Sequence, residues 1–323
     1  MLYYNIKRLM ILQERMLPMH RSIILLIGLV LMSIVSGRSG LAAEPPVAMA
    51  SIGPLHALLT QVTHGVSKSE VLLPPGASPH HFALRPSDML RLQEADVLFW
   101  VGPALEEALV NPIQALGANI HTVEVMNGNE LPLLPRREAG VLNAGGMGAP
   151  VSGEPDPHIW LDPQLAGMIM GTMADELAKI HPAHASKYLE NAIAGQQAME
   201  ALIIAASAYL KPIKDRPYVV YHDAYQYFEN RFGLHPMAIV SIDSDYAPSA
   251  KRVHEIRELV RANAGVCIFV EPQFTPKIVE TLRKGTDTRV GILNPTIVKG
   301  SDGLVAYERM IWQLAHRIGQ CFA

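Results

Sequence analysis

From residue 47 onward the chain alternates short apolar runs with segments in which apolar residues recur every three or four positions. Short uninterrupted apolar runs predict strands, and a 3.6-residue spacing predicts amphipathic helices. Val47–Gly53 predicts a strand, and 54–64 a helix through Leu55, Leu58, Leu59 and Val62. Glu70–Leu73 predicts a second strand. A helix follows over 86–95, with Ser87 and Asp88 near its start. Residues 96–102 (DVLFWVG) form a continuous apolar strand, of the kind buried on both faces of a parallel sheet. A helix over 105–116 and a strand over 119–125 extend the series, which implies a mostly parallel sheet under helices.

Residues 126–157 break this rhythm with Gly128, Pro132, Pro135, Gly140, Gly145, Gly146, Gly148, Pro150, Gly153 and Pro155. They predict a mobile surface loop, of a length that is uncommon in compact domains and often functional. Two helices follow. The first, 164–180, is amphipathic and rich in Met and Ala. The second, 185–210, is interrupted only by Gly195 and at 1.5 Å per residue runs about 40 Å. The rhythm then restarts, with strands over 218–222, 237–242, 266–271 and 289–294 and helices over 225–232, 249–263, 275–284 and 304–318. The expected fold class is α/β. Two βα lobes with mostly parallel sheets, 44–184 and 211–323, are joined by one long helix, 185–210.

The start of the chain sets the compartment. Arg21, an apolar run over 23–35 and small residues up to Ala43 have the order of a secretory signal peptide over 1–43, cleaved after Ala43. A retained signal anchor is the alternative, but the run is shorter than the roughly 20 residues of a membrane span. Residues 1–18 fit neither pattern, and Met19 offers a second start. No cysteine near the cleavage region suggests lipidation. Hydrophobic content of 49% and charged content of 18% suit a globular core, and a net charge of -3 supplies no basic field for nucleic acid. The two cysteines, Cys267 and Cys321, are 54 positions apart. In an exported protein an even pair reads as a disulfide, the alternative being two buried thiols.

Three of the 13 histidines lie in segments suited to holding one metal ion: His80 in GASPHHF, His158 in DPHIWLDP and His222 in YHDAY. Neutral imidazole is the commonest nitrogen ligand for zinc. His80 follows a predicted strand, His158 leads into a helix, and His222 and Asn294 end strands. Open α/β sheets bind ligands at the carboxyl ends of their strands. His80 and His158 belong to the first lobe and His222 to the second, so the metal site is expected between lobes. Three imidazoles suit zinc, manganese wants more oxygen, and copper(II) would bind imidazole more tightly than zinc.

The segments PPGASPHHFALRPSDMLRLQEADVLFWVGP, HIWLDP, YHDAYQYFE, CIFVEPQF and VGILNP resemble the periplasmic zinc-binding components of high-affinity zinc ABC transporters. These belong to the metal-specific solute-binding family, whose lobes are linked by a single rigid helix. The resemblance spans the whole mature chain. It implies a periplasmic monomer that captures Zn2+ and delivers it to a membrane permease, with no enzymatic activity. It places His80, His158 and His222 at the family's ligand positions and pairs Cys267 with Cys321. Three departures stand out. Asn294 occupies a position where many members carry a ligating aspartate. His81 stands where an acidic residue is frequent. The stretch 126–157 lacks the family's histidine-rich loop. Water, Asn294 and His81 are the options for the fourth ligand, and water is favoured.

Other readings stand beside this one. A three-histidine zinc hydrolase would use the same ligands with an open position for water, and Asp223 or Glu271 as base. No nucleophile motif accompanies them. Manganese or copper receptors, and adhesins, come from the same family. Asp223 and Glu271 are equally suited to orienting ligating imidazoles or to structural salt bridges. His56, His64, His184, His254 and His316 read as surface residues, His121 and His235 as strand-edge residues, and Met168, Met170 and Met173 as core filling.

Overall fold

Two sheets organise the chain. The computed structural model describes residues 45–128, 131–143, 148, 150–242, 247–272, 277–297 and 303–323. The expected leader over 1–43 lies outside these residues.

The first sheet has β1 (Ala48–Ala50), β2 (Ser69–Val71), β3 (Val97–Trp100) and β4 (His121–Glu124) in the order β2-β1-β3-β4. All its pairs are parallel. The two central strands are fully buried, which is why they read as unbroken apolar runs. The edge strands carry Ser69, Glu70 and His121. Helices α1 (Gly53–Val62), α2 (Pro86–Glu94) and α3 (Glu107–Leu116) connect them. Helix α2 starts at a proline whose missing N–H costs nothing there, and the Arg85 N–H donates to Asp88 Oδ2 at 3.0 Å.

Two helices follow, α4 (Pro163–Ile180) and α5 (Ala185–Leu210). The long α5 buries Tyr188, Asn191, Ala192, Gly195, Met199, Leu202, Ala206 and Leu210, one stripe at three- and four-residue spacing. It packs along α4 and also against α1. Gly195 lets the two long helices approach, since a Cβ there would meet Met170 Sδ at 2.5 Å. Met170 and Met173 are core residues as expected.

The second sheet contains β8 (Tyr218–His222), β9 (Ala238–Ser241), β10 (Cys267–Val270) and β11 (Arg289–Ile292), all parallel. Helices α6 (Gln226–Phe232), α7 (Ala250–Ala262) and α8 (Lys277–Arg283) alternate with these strands. The final helix α9 (Leu304–Phe322) is longer than its apolar pattern suggested and packs on α1 and α5. The Cys267–Cys321 disulfide ties β10 to its end, with Cα atoms 6.3 Å apart. The reading of two buried thiols is excluded. Among the described residues, no helix is long and apolar enough to cross a membrane.

The stretch 126–157 is not the structureless loop that its Gly and Pro content predicts. Its described residues include three strands, β5 (Pro135–Arg137), β6 (Gly140–Val141) and β7 (Pro150–Pro155). β6 joins the second sheet antiparallel to β9, pairing Gly140 with Ile239 and Val141 with Ala238, and Leu142 N donates to Met237 O at 2.9 Å. β5 and β7 form their own antiparallel pair. β5 and β6, of three and two residues, are too short to show a period. Their hydrogen-bond partners come from distant segments, so local sequence carries no signal of them.

Candidate metal centre

Each histidine of the expected trio is placed by local chain chemistry. His80 sits between β2 and α2, next to buried Pro79. His158 immediately precedes the 3-10 turn Ile159–Leu161, which leads into α4. His222 is the last residue of β8. The ring centroids of His80 lie 5.4 Å from those of both His158 and His222, and the latter two are 5.1 Å apart. One nitrogen from each ring falls within 4.8 Å of the others. His158 and His222 are buried, and His80 is half-buried. Nitrogen ligands sit about 2.0–2.1 Å from zinc, so this spacing suits three ligands around one ion.

Carboxylates hold two of the rings from behind. His222 Nδ1 lies 2.5 Å from Glu271 Oε1, and His158 Nδ1 lies 2.7 Å from Asp156 Oδ1. Such contacts select the tautomer and leave Nε2 for a metal. His158 Nε2 is buried with no hydrogen-bond partner among the described residues. Asp156 is itself anchored. Its Oδ1 accepts from His158 N at 3.0 Å, and its carbonyl accepts from Tyr227 Oη at 3.0 Å. With its amide turned to donate, Gln226 reaches Asp156 Oδ2 at 2.9 Å and Pro135 O at 3.2 Å. The partner of His222 follows from register. Phe269 pairs with Val220 in parallel β10 and β8. Two residues on, Glu271 therefore stands beside His222.

Burial, reinforced by the nearby His222, lowers the His158 pKa to about 3. The ring therefore stays neutral, the form that binds metal. Burial pushes Asp156 up to about 7, against the hydrogen bond from the His158 amide and the charge of Arg137.

The flanking carboxylate Asp223 takes a different partner. Arg137, on β5, pairs with both of its oxygens, with Nε 3.2 Å from Oδ2 and Nη2 against Oδ1. Nη2 also donates to Glu229 Oε2 at 2.8 Å, and Tyr218 Oη donates to Glu229 Oε1 at 3.2 Å. Burial alone would lower the Arg137 pKa, but Glu229 and Asp223 more than offset it and keep the guanidinium charged. Burial lifts Glu229 to about 7.

A cavity of about 170 Å³ opens beside the trio, lined by His80, His81, Arg136, Asp156, His158 and Asp223 among others. His81 is exposed at its edge, with its ring centroid 6.4 Å from that of His80. Asn294 does not line this cavity. Its Oδ1 accepts from Thr296 N at 3.0 Å and Thr296 Oγ1 at 2.8 Å. Of the two candidate orienting residues, Glu271 contacts a histidine and Asp223 an arginine. Asp156 was visible only as part of a motif, and Arg137 gave no sequence signal at all.

A three-imidazole cluster, in a chain of two mostly parallel sheets with one long helix, is the architecture of a metal-specific solute-binding protein. The chain belongs to the family described as zinc-uptake complex component A, periplasmic, whose model matches residues 48–321. It is 35% identical to the high-affinity zinc uptake system protein ZnuA of Brucella suis over 88% of this chain and 94% of the relative. Its identity to the ZnuA protein of Yersinia pestis is 34%, over 84% and 89% of the two chains. Among solved structures, the periplasmic zinc-binding protein TroA from Treponema pallidum superposes with a TM-score of 0.72 at 22% identity, over 86% of this chain and 99% of that one. A crystal structure of ZnuA gives a TM-score of 0.71 at 21% identity, over 86% and 100%. These two structures share the fold.

Proposed function

We propose that this protein captures Zn2+ in the periplasm and delivers it to the membrane permease of an ABC transporter for uptake. The convergence of His80, His158 and His222 on one point carries the reading. Three neutral nitrogens favour zinc over manganese, which prefers oxygen. The fourth position is assigned to water, because the Asn294 oxygen is engaged with Thr296 and the exposed His81 ring is centred 6.4 Å from that of His80. The role is transport rather than catalysis. The two acids that a hydrolase would use as base are held by Arg137 and His222. Residues 1–43 are assigned as the export signal, 44–184 and 211–323 as the lobes and 185–210 as the linking helix. The protein acts as a monomer without nucleic acid.

Native mass spectrometry of protein purified from the periplasm, with elemental identification of the metal, tests this directly. One zinc per chain is expected. Replacing His80, His158 or His222 singly by Ala should weaken binding at least about tenfold, since losing a supporting residue already costs 10–100-fold. Copper as the bound metal, or unchanged affinity in all three variants, would overturn the assignment.

A further inference from the structure

We infer that Arg137 sets metal selectivity by withholding Asp223 from the metal centre. The inference rests on the three-histidine reading. Asp223 directly follows His222 and lines the cavity next to His80 and His158. An anionic oxygen at that place is the natural fourth donor for a metal held by three imidazoles. It would also change the character of the site, because carboxylate oxygen suits manganese and other hard ions better than nitrogen does. The carboxylate is committed elsewhere. Both of its oxygens face the Arg137 guanidinium, whose planar fork matches a carboxylate two-to-two.

The other buried acids around the trio are committed too, but differently. Asp156 and Glu271 each back a histidine, so releasing either would also release a ligand. Asp223 pairs instead with a cation, Arg137. That cation is delivered by β5, a strand separate from both lobe sheets. The Arg137 side chain is 6% exposed and that of Asp223 is 2% exposed, so water does not screen the pair. Glu229, on α6, takes the remaining reach of Nη2 at 2.8 Å. The same nitrogen thus holds both carboxylates. Arg137 is thus a positioning residue: it acts on metal choice through Asp223.

Affinities for zinc and manganese, measured by competition with a chelating indicator on metal-stripped full-length mature protein, test the idea. In Arg137→Met, Asp223 is released, and the zinc-to-manganese affinity ratio should fall by about tenfold or more. Adding Asp223→Asn to that variant should restore the wild-type ratio, which a merely structural role for Arg137 would not do. Asp223→Asn alone should leave zinc affinity unchanged. That variant keeps Arg137 paired with Glu229, so it tests the inference even if Arg137→Met does not fold. A zinc loss in Asp223→Asn comparable to that of His222→Ala would make Asp223 a ligand already and overturn the inference. An unaltered ratio in a folded Arg137→Met would overturn it as well. Failure of the underlying reading looks different, because His222→Ala would then keep wild-type zinc affinity.

Discussion

His222 Nδ1 and Glu271 Oε1 stand 2.5 Å apart, both side chains buried, at the ends of neighbouring parallel strands. The contact turns the other ring nitrogen toward His80 and His158. A carboxylate behind a ligating imidazole also raises its basicity as a donor. Glu271→Gln should therefore lower zinc affinity by about 10–100-fold while leaving the fold intact. Calorimetric titration checks this. An affinity equal to wild type would mean that the carboxylate serves packing alone.

The Asp156–His158 pair should hide its own titration. In the native protein the first proton enters at about 7, on Asp156, and the second at about 3, on His158. The unfolded chain takes its first proton at about 6.5, on histidine, and its second at about 3.9, on aspartate. Burial moves the two groups in opposite directions, Asp156 up and His158 down, so their contributions to the pH dependence of stability oppose each other. Asp156→Asn removes the compensation. The unfolded state then gains a proton as pH falls through about 6.5, while native His158 resists until about 3. Stability of the metal-free variant should drop by about 1.4 kcal/mol per pH unit across that window. Urea midpoints of variant and wild type at several pH values measure it, and parallel curves would refute it.

Glu106 offers a second pH test, with the opposite sign. Its Oε2 accepts from the backbone N–H of Val101 at 2.7 Å and Gly102 at 3.2 Å, and burial raises its pKa to about 7. The native state thus binds this proton more tightly than the unfolded chain. The stabilisation is complete below the unfolded value, about 4.3, and is lost as pH rises through 7. Glu106→Gln keeps an acceptor for the two amides and cannot ionise. It should remove this pH dependence and gain up to about 4 kcal/mol over wild type above pH 7. Thermal melts at pH 5 and pH 8 provide the comparison.

The Cys267–Cys321 bridge spans 54 positions, and a loop of that size contributes about 4 kcal/mol in the chain-entropy model. The double variant Cys267→Ala, Cys321→Ala should lose stability of that order. Zinc affinity of the folded fraction should be unchanged, because neither cysteine belongs to the histidine cluster or its supporting residues. Denaturant midpoints and a zinc titration on the same sample separate the two outcomes.

The sequence by itself determined the alternating strands and helices outside 126–157 and singled out the three histidines. The buried strands β3 and β8 and the long α5 were legible because burial writes an apolar run or a helical stripe into the residues themselves. With only two cysteines, the sequence offered a single intramolecular pairing. Tertiary structure decided what stands behind His158 and His222. Glu271 reaches His222 because β10 lies next to β8 in the sheet, and strand order is a property of long-range packing that no local pattern encodes. Arg137 meets Asp223 across 86 positions because short strands in a Gly- and Pro-rich stretch find partners far away in sequence. Asn294, whose place at a strand end marked it as a ligand candidate, spends its oxygen on Thr296 two residues later. Residue type showed which atoms were able to bind a metal, and only the folded backbone decided which of them were left facing one another.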